Sequence, residues 1–229
     1  FTCPLCGTNF KAIVDCSGTV LGRRLDLKPL GAIAAPWRKP VCPACHFVLY
    51  SEQEKPAVDI GKLRIIAGSE EYKKLVREGH TSYFLWGTIR EKTGADHFDT
   101  GWTFLQASWQ VEVNSNRYNQ YISRALVHLE EFARRRKPDD ERWPVSMHLA
   151  GELMRLLGRF DKAEQHFTAM QKEPTFSKQP YRTLLAYELE LIAGRDKQPH
   201  EAPEIELTEE DKKDTPSYKS APAWPGSQR

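Results

Sequence analysis

Four absences narrow the reading first. No apolar run approaches the roughly 18 residues that a membrane helix needs, so no membrane partner is expected. No excess of one charge exists: 33 Lys and Arg face 31 Asp and Glu, a net charge of +2, which points neither toward nor away from nucleic acid. The HExxH, P-loop, GxGxxG and GxSxG signatures do not occur, so no familiar enzyme site is written in the chain. Cysteine is scarce, at five in 229 residues, but what there is lies clustered.

Four of the five form two CxxC pairs. The first reads Cys3-Pro4-Leu5-Cys6-Gly7 and the second Cys42-Pro43-Ala44-Cys45-His46. Each CxxC turn aims two thiolates at one point, and two turns supply four soft ligands, which suits tetrahedral Zn²⁺. A proline after the first cysteine stiffens each turn. A glycine after the second permits the positive φ that lets backbone N–H groups face sulfur. His46 stands where the second glycine would be, and histidine can adopt that conformation at some cost. Thirty-five residues separate Cys6 from Cys42, longer than a usual ribbon. Cys3, Cys6, Cys42 and Cys45 are the expected metal ligands. With all four positions filled, the zinc should hold structure rather than catalyse.

Two other chemistries use the same cysteines. Cys42 to His46 matches the CxxCH pattern of haem attachment, which leaves Cys3 and Cys6 without a role. A thioredoxin-like redox pair needs a βαβ setting that this sequence does not offer. Cys16 lies outside both pairs and reads as a free thiol. An odd count clustered in this way fits metal binding in a reducing cytoplasm better than a disulfide framework.

The remaining pattern predicts a mainly α protein. Residues 1–50 hold both cysteine pairs, several Gly and Pro, and short β-type runs at Ala12-Ile13-Val14 and Phe47-Val48-Leu49-Tyr50. They are expected to form a small zinc-ribbon-like head. Residues 51–68 read as a connector with extended character. Residues 69–195 read as a TPR-like body of antiparallel helix pairs. Its segments are a helix capped by Ser69, one over Thr81–Thr93 ended by Gly94, and a face made by Phe98, Trp102, Leu105 and Trp109. A stripe of Tyr118, Tyr121, Ile122, Ala125, Leu129, Phe132 and Ala133 follows. Three more helices begin near Pro144, Phe160 and Pro180. Residues 196–229 are rich in Pro and charge and poor in aliphatics, so they are expected to be a disordered tail.

The stretch from Leu149 through Gly151, Gly158 and Ala163 to Phe167 carries the small/large alternation of a tetratricopeptide repeat (TPR). A single ordinary helical bundle is the competing description. Ten aromatics fall between Tyr72 and Tyr121, and they read as the core of helix pairs rather than a ligand groove. His97, flanked by Asp96 and Asp99, reads as a solvated turn. Arg134-Arg135-Arg136-Lys137 reads as a solvated helix end.

Basic residues lean toward the head. Lys11, Arg23, Arg24, Lys28, Arg38 and Lys39 face Asp15 and Asp26, which gives +4 over residues 1–50, and a Zn(Cys)₄ centre of net −2 leaves +2. The leading expectation is therefore a non-enzymatic protein-interaction module with an unknown protein or peptide partner. A nucleic-acid-binding protein using the basic head is the alternative. The two knuckles, with Leu21 to Pro29 and Val41 to Val48, resemble a bacterial domain family of unknown function, number 2225 among such families. The resemblance covers about residues 1–195. It implies a two-knuckle cysteine head followed by TPR-like helices in a bacterial, cytoplasmic protein, and it implies no activity.

Overall fold

The computed structural model describes residues 1–14, 18–31, 36–51, 54–136 and 138–205. Among them are two strands, β1 (Val20–Arg23) and β2 (Pro29–Gly31), and eight α-helices. These are α1 (Ile60–Gly68), α2 (Glu70–Arg77), α3 (Ser82–Thr93), α4 (His97–Ser108), α5 (Asn116–Arg135), α6 (Trp143–Leu156), α7 (Phe160–Met170) and α8 (Tyr181–Ala193). The mainly α expectation is met, and no described helix is long and apolar enough to cross a membrane.

Local chemistry sets most helix ends. Ser69 and Thr81 cap α2 and α3 by accepting from the amides of Tyr72 and Phe84. Gly94, at φ 72°, closes α3, because a left-handed residue satisfies the last carbonyls without a Cβ clash. Pro144 sits in the first turn of α6, where its missing N–H removes no helical bond.

The chain divides into two compact units elsewhere than at 50 and 68. Unit 1 comprises Phe1–Thr19 and Gly31–His128, and unit 2 comprises Val20–Leu30 and Leu129–Arg229. The boundaries 1–50, 51–68 and 69–195 are thus corrected in two ways. First, the expected connector holds a helix, α1. Asp59 caps it by accepting from the Lys62 amide, and Leu63, Ile66 and Ala67 bury one face. Second, residues 20–30 leave the head and join unit 2. There Leu25 is fully buried, its amide donates to the His200 carbonyl, and its own carbonyl lies 2.9 Å from Nε2 of His148. The expected strand at Ala12-Ile13-Val14 is absent, and Val48 forms only an isolated bridge with Val41.

The core of unit 1 merges the cysteine knuckles with helices. Cys3, Leu5, Cys42, Phe47 and Val48 form one buried cluster with Leu63, Ile66, Ala67, Tyr72, Leu85, Trp86 and Ile89. The ten aromatics serve as core: all but Trp102 are buried. In unit 2, α6 packs on α7 and α7 on α8. At Gly151 a Cβ would lie 2.7 Å from Cε1 of Phe167, so α6 and α7 approach closely at this small residue. The same device recurs in unit 1, where a Cβ on Gly87 of α3 would lie 2.7 Å from Cε1 of Phe104 on α4.

The tail boundary at 196 also moves. Residues 196–205 dock within unit 2: Arg155 Nη1 donates to the carbonyls of Asp196 and Gln198, and the Ala202 amide donates to Arg23. The remainder of the expected tail, 206–229, and Cys16 lie outside the described residues.

Candidate metal centre

Both knuckles fold by the same backbone pattern. In the first, the Cys3 amide donates to Thr8 and the Gly7 amide donates back to Cys3, each at 2.9 Å. In the second, the Cys42 amide donates to Phe47 and the His46 amide to Cys42, again at 2.9 Å. The bridges Thr2 to Asn9 and Val41 to Val48 close the two turns in matching register. Gly7 has φ 72° and His46 φ 58°, so both occupy the left-handed region that the motif requires.

Repeating the turn brings four sulfurs together. Cys3 Sγ lies 3.5 Å from Cys45 Sγ, Cys6 Sγ lies 3.6 Å from Cys42 Sγ, and all four fall within 4.8 Å of one another. A tetrahedral thiolate site with bonds of about 2.3 Å has sulfur–sulfur edges of about 3.8 Å, so the spacing fits one tetrahedral ion. All four predicted ligands converge, including Cys3 and Cys6, which a haem attachment at Cys42 and Cys45 would leave idle. The four cysteines can therefore hold a metal ion.

The environment of the sulfurs is uneven. Cys3 and Cys42 are buried, Cys45 is half-buried and Cys6 is exposed. Burial, together with hydrogen bonding to the neighbouring sulfurs, pushes the Cys45 thiol far above its ordinary value, and burial also raises Cys3. The Thr8 hydroxyl, 3.2 Å from Cys6 Sγ, and the Thr8 backbone lower Cys6 to about 6. Four thiolates cannot ionise together at this distance without a cation among them; a bound metal reverses that balance and deprotonates all four.

Two side chains outside the motifs reach the knuckles. Arg64 of α1 donates from Nε and Nη2 to the Leu5 carbonyl at 3.2 and 2.9 Å. The Tyr72 hydroxyl of α2 donates to the His46 carbonyl at 2.9 Å. Beside the centre, a cavity of about 520 Å³ is walled by knuckle residues such as Leu5, Cys6 and Cys45 and by helix residues such as Arg64, Tyr72 and Val76. Nothing in the sequence marks Arg64 or Tyr72, because their role depends on contacts 59 and 26 residues away.

Two of the six cations of the expected basic head are paired with carboxylates. Arg24 pairs with the buried Asp26, and Lys39 lies 2.6 Å from Glu54 with little exposure of either side chain. The two also fall in different units. His97 does not stand as a solvated turn: its Nδ1 lies 3.0 Å from Nδ1 of His128, whose Nε2 lies 3.2 Å from Glu91.

A second polar cluster, unmarked in the sequence, lies wholly inside unit 2. Arg155 is fully buried and binds Glu152 at 2.7 Å and Glu188 at 3.0 Å, both fully buried. Burial raises both carboxyls above their ordinary range, Glu152 well above it; the mutual repulsion of the pair adds to Glu152.

No family model matches the chain, and neither a curated protein nor a solved structure matches it.

Proposed function

We propose that Cys3, Cys6, Cys42 and Cys45 bind one structural Zn²⁺ and that the protein is a non-enzymatic, TPR-like interaction module of a reducing cytoplasm. The convergence of four sulfurs within 4.8 Å carries the metal half of this reading. Zinc is the ion best suited to four soft ligands in a closed tetrahedron. Metal analysis of protein purified under reducing conditions should find about one zinc per chain, with X-ray absorption detecting only sulfur neighbours near 2.3 Å. Protein free of metal, or carrying covalent haem, contradicts the assignment.

The interaction half is supported by a repeated helix pair. In α6–α7, Gly151 meets Phe167, with Ala163 four residues before the ring. In α3–α4, Gly87 meets Phe104, with Thr100 four residues before it and Ala107 three after. Gly94 and Gly158, both of positive φ, end the helices that carry Gly87 and Gly151 at the same spacing. This is the order of small and aromatic residues in a TPR unit, a scaffold that offers helical surfaces to peptides. It also agrees with the likeness to domain family 2225. Affinity capture from the native host, compared with a Gly151→Leu variant that disrupts the pair, should recover a protein partner only with the intact chain. Sub-micromolar, salt-resistant binding to random DNA or RNA that is lost in the Arg23→Ala/Arg24→Ala double variant would instead favour the nucleic-acid alternative.

A further inference from the structure

We infer that Arg64 and Tyr72 are positioning residues for the metal, each holding one cysteine knuckle in ligand register from a neighbouring helix. The inference rests on the zinc reading above.

Each knuckle presents one backbone carbonyl to a helix. Leu5 O, between Cys3 and Cys6, accepts both Nε and Nη2 of Arg64. His46 O, directly after Cys45, accepts the Tyr72 hydroxyl. The planar guanidinium fixes the first carbonyl in direction as well as distance, because two donors of one rigid fork meet one oxygen. Tyr72 is fully buried, so its ring cannot swing away and its hydroxyl is fixed where the knuckle needs it. Neither side chain is one of the four candidate ligands. Both act through the peptide units that set the sulfur directions, as outer partners orient metal ligands generally.

The arrangement also answers the long gap between the knuckles. A 35-residue separation cannot by itself bring Cys6 beside Cys42. The helices adjoining the knuckles can. α1 holds the first knuckle through Arg64, α2 holds the second through Tyr72, and the two helices pack on each other. Ser69 joins them: it closes α1 through its amide bond to Ile66 and caps α2 by accepting from Tyr72.

The test uses the full chain and Zn²⁺ in competition with a chromophoric chelator, with Co²⁺ substitution as a second readout. Wild type reports the zinc reading itself. Tyr72→Phe keeps the ring and removes the hydroxyl; Arg64→Lys keeps the charge and removes the paired donation. Both should weaken Zn²⁺ by about 10- to 100-fold and shift or broaden the Co²⁺ d–d bands. Arg77→Ala, which removes a cation from the same cavity wall, should retain wild-type affinity and bands, whereas Ile89→Ala, which loosens the same buried cluster from α3, should weaken Zn²⁺ only through lost stability and keep the Co²⁺ bands at their wild-type positions. Wild-type affinity and spectra in both test variants, with wild type binding zinc, overturn the positioning role alone. Co²⁺ bands that shift equally in Ile89→Ala also overturn it, because general destabilisation then accounts for the effect. A wild-type chain that takes up no zinc overturns both readings.

Discussion

Units 1 and 2 share a Gly–Phe helix contact but complete their cores in opposite ways. In unit 1 the polar groups at the centre are four sulfurs, Cys3, Cys6, Cys42 and Cys45, gathered where helices and knuckles meet. In unit 2 they are Glu152, Arg155 and Glu188, buried without exposure inside the helix stack. The first set can ionise together only if a cation from outside joins it. The second carries its own cation. On the proposed zinc reading unit 1 is therefore conditional on metal, whereas the polar cluster of unit 2 carries its own counter-charge.

The largest expected effect falls on unit 1. Cys42→Ser should remove the metal and, because Cys42 is fully buried among Phe47, Leu63 and Trp86, loosen α1–α3 along with the knuckles. Zinc binding contributes on the order of 10–16 kcal/mol in small zinc peptides, comparable with the whole stability of a domain. Limited proteolysis should cut first within residues 1–93, and the loss should not stop at residue 50. Helices α1–α3 that stay fully protected would restore an independent head.

Arg155→Met should be next. It takes the partner cation from buried Glu152 and Glu188 and one donor each from the Asp196 and Gln198 carbonyls, at a cost of roughly 3–5 kcal/mol. Denaturant unfolding should register the loss while zinc content stays unchanged. A coupled loss of zinc would erase the distinction between the units.

Gly87→Ala and Gly151→Ala probe what the units share. Each added methyl meets an aromatic ring, Phe104 or Phe167, that is itself fully buried, so each should destabilise by about 1–3 kcal/mol despite a gain of about 1 kcal/mol in helix propensity. A stabilised Gly151→Ala in unfolding experiments would mean that the ring yields easily and that the contact does not define the repeat.

The smallest effects are those of pH, and they differ between the units. In unit 1, burial alone would raise Glu54, but Lys39 overrides it and the net shift is downward; Glu91 is lowered by its bond to His128. Groups with depressed folded values give stability that is present above the unfolded value and lost as pH falls through the folded one. Acid also protonates metal thiolates. In unit 2, Glu152 and Glu188 are raised, so the folded state holds protons that the unfolded chain has released. Their contribution falls as pH climbs above the ordinary carboxyl value of 4.5. Lowered carboxylates of unit 2 such as Glu131 and Asp196 face solvent, where screening weakens them. Burial also lowers His166 in unit 2, which adds stability there as pH rises toward the ordinary imidazole value, so unfolding followed region by region from pH 4 to pH 8 should show unit 1 gaining more than unit 2. Parallel profiles would contradict this assignment of charges.

Where capping and periodicity set an element, the sequence was enough. Ser69, Thr81, Gly94 and Pro144 all stand where their chemistry places a helix end. The ligands were legible because CxxC geometry is local. Helix α1 was not: Ile60-Gly61-Lys62-Leu63-Arg64-Ile65-Ile66-Ala67-Gly68 carries three β-branched residues and two glycines, and burial of Leu63, Ile66 and Ala67 overrides that weak propensity. The i,i+3 spacing of Glu152 and Arg155 is common on exposed helix faces and marks nothing by itself; only packing around the pair turns it into a buried centre. The hairpin at 20–30 shows no alternation long enough to read, because Leu25 and Asp26 at its turn, rather than one face of its strands, enter the core of unit 2.

The central claim is that the metal belongs to the core of unit 1 and not to a detachable head. Hydrogen exchange on the full-length chain, with zinc and after removal by a chelator, tests it most directly. Amides of α1, α2 and α3 should lose protection together with those of Cys3 to Thr8 and Cys42 to Phe47, while α6–α8 keep theirs. Loss confined to residues 1–50, with α1–α3 unchanged, would contradict the account.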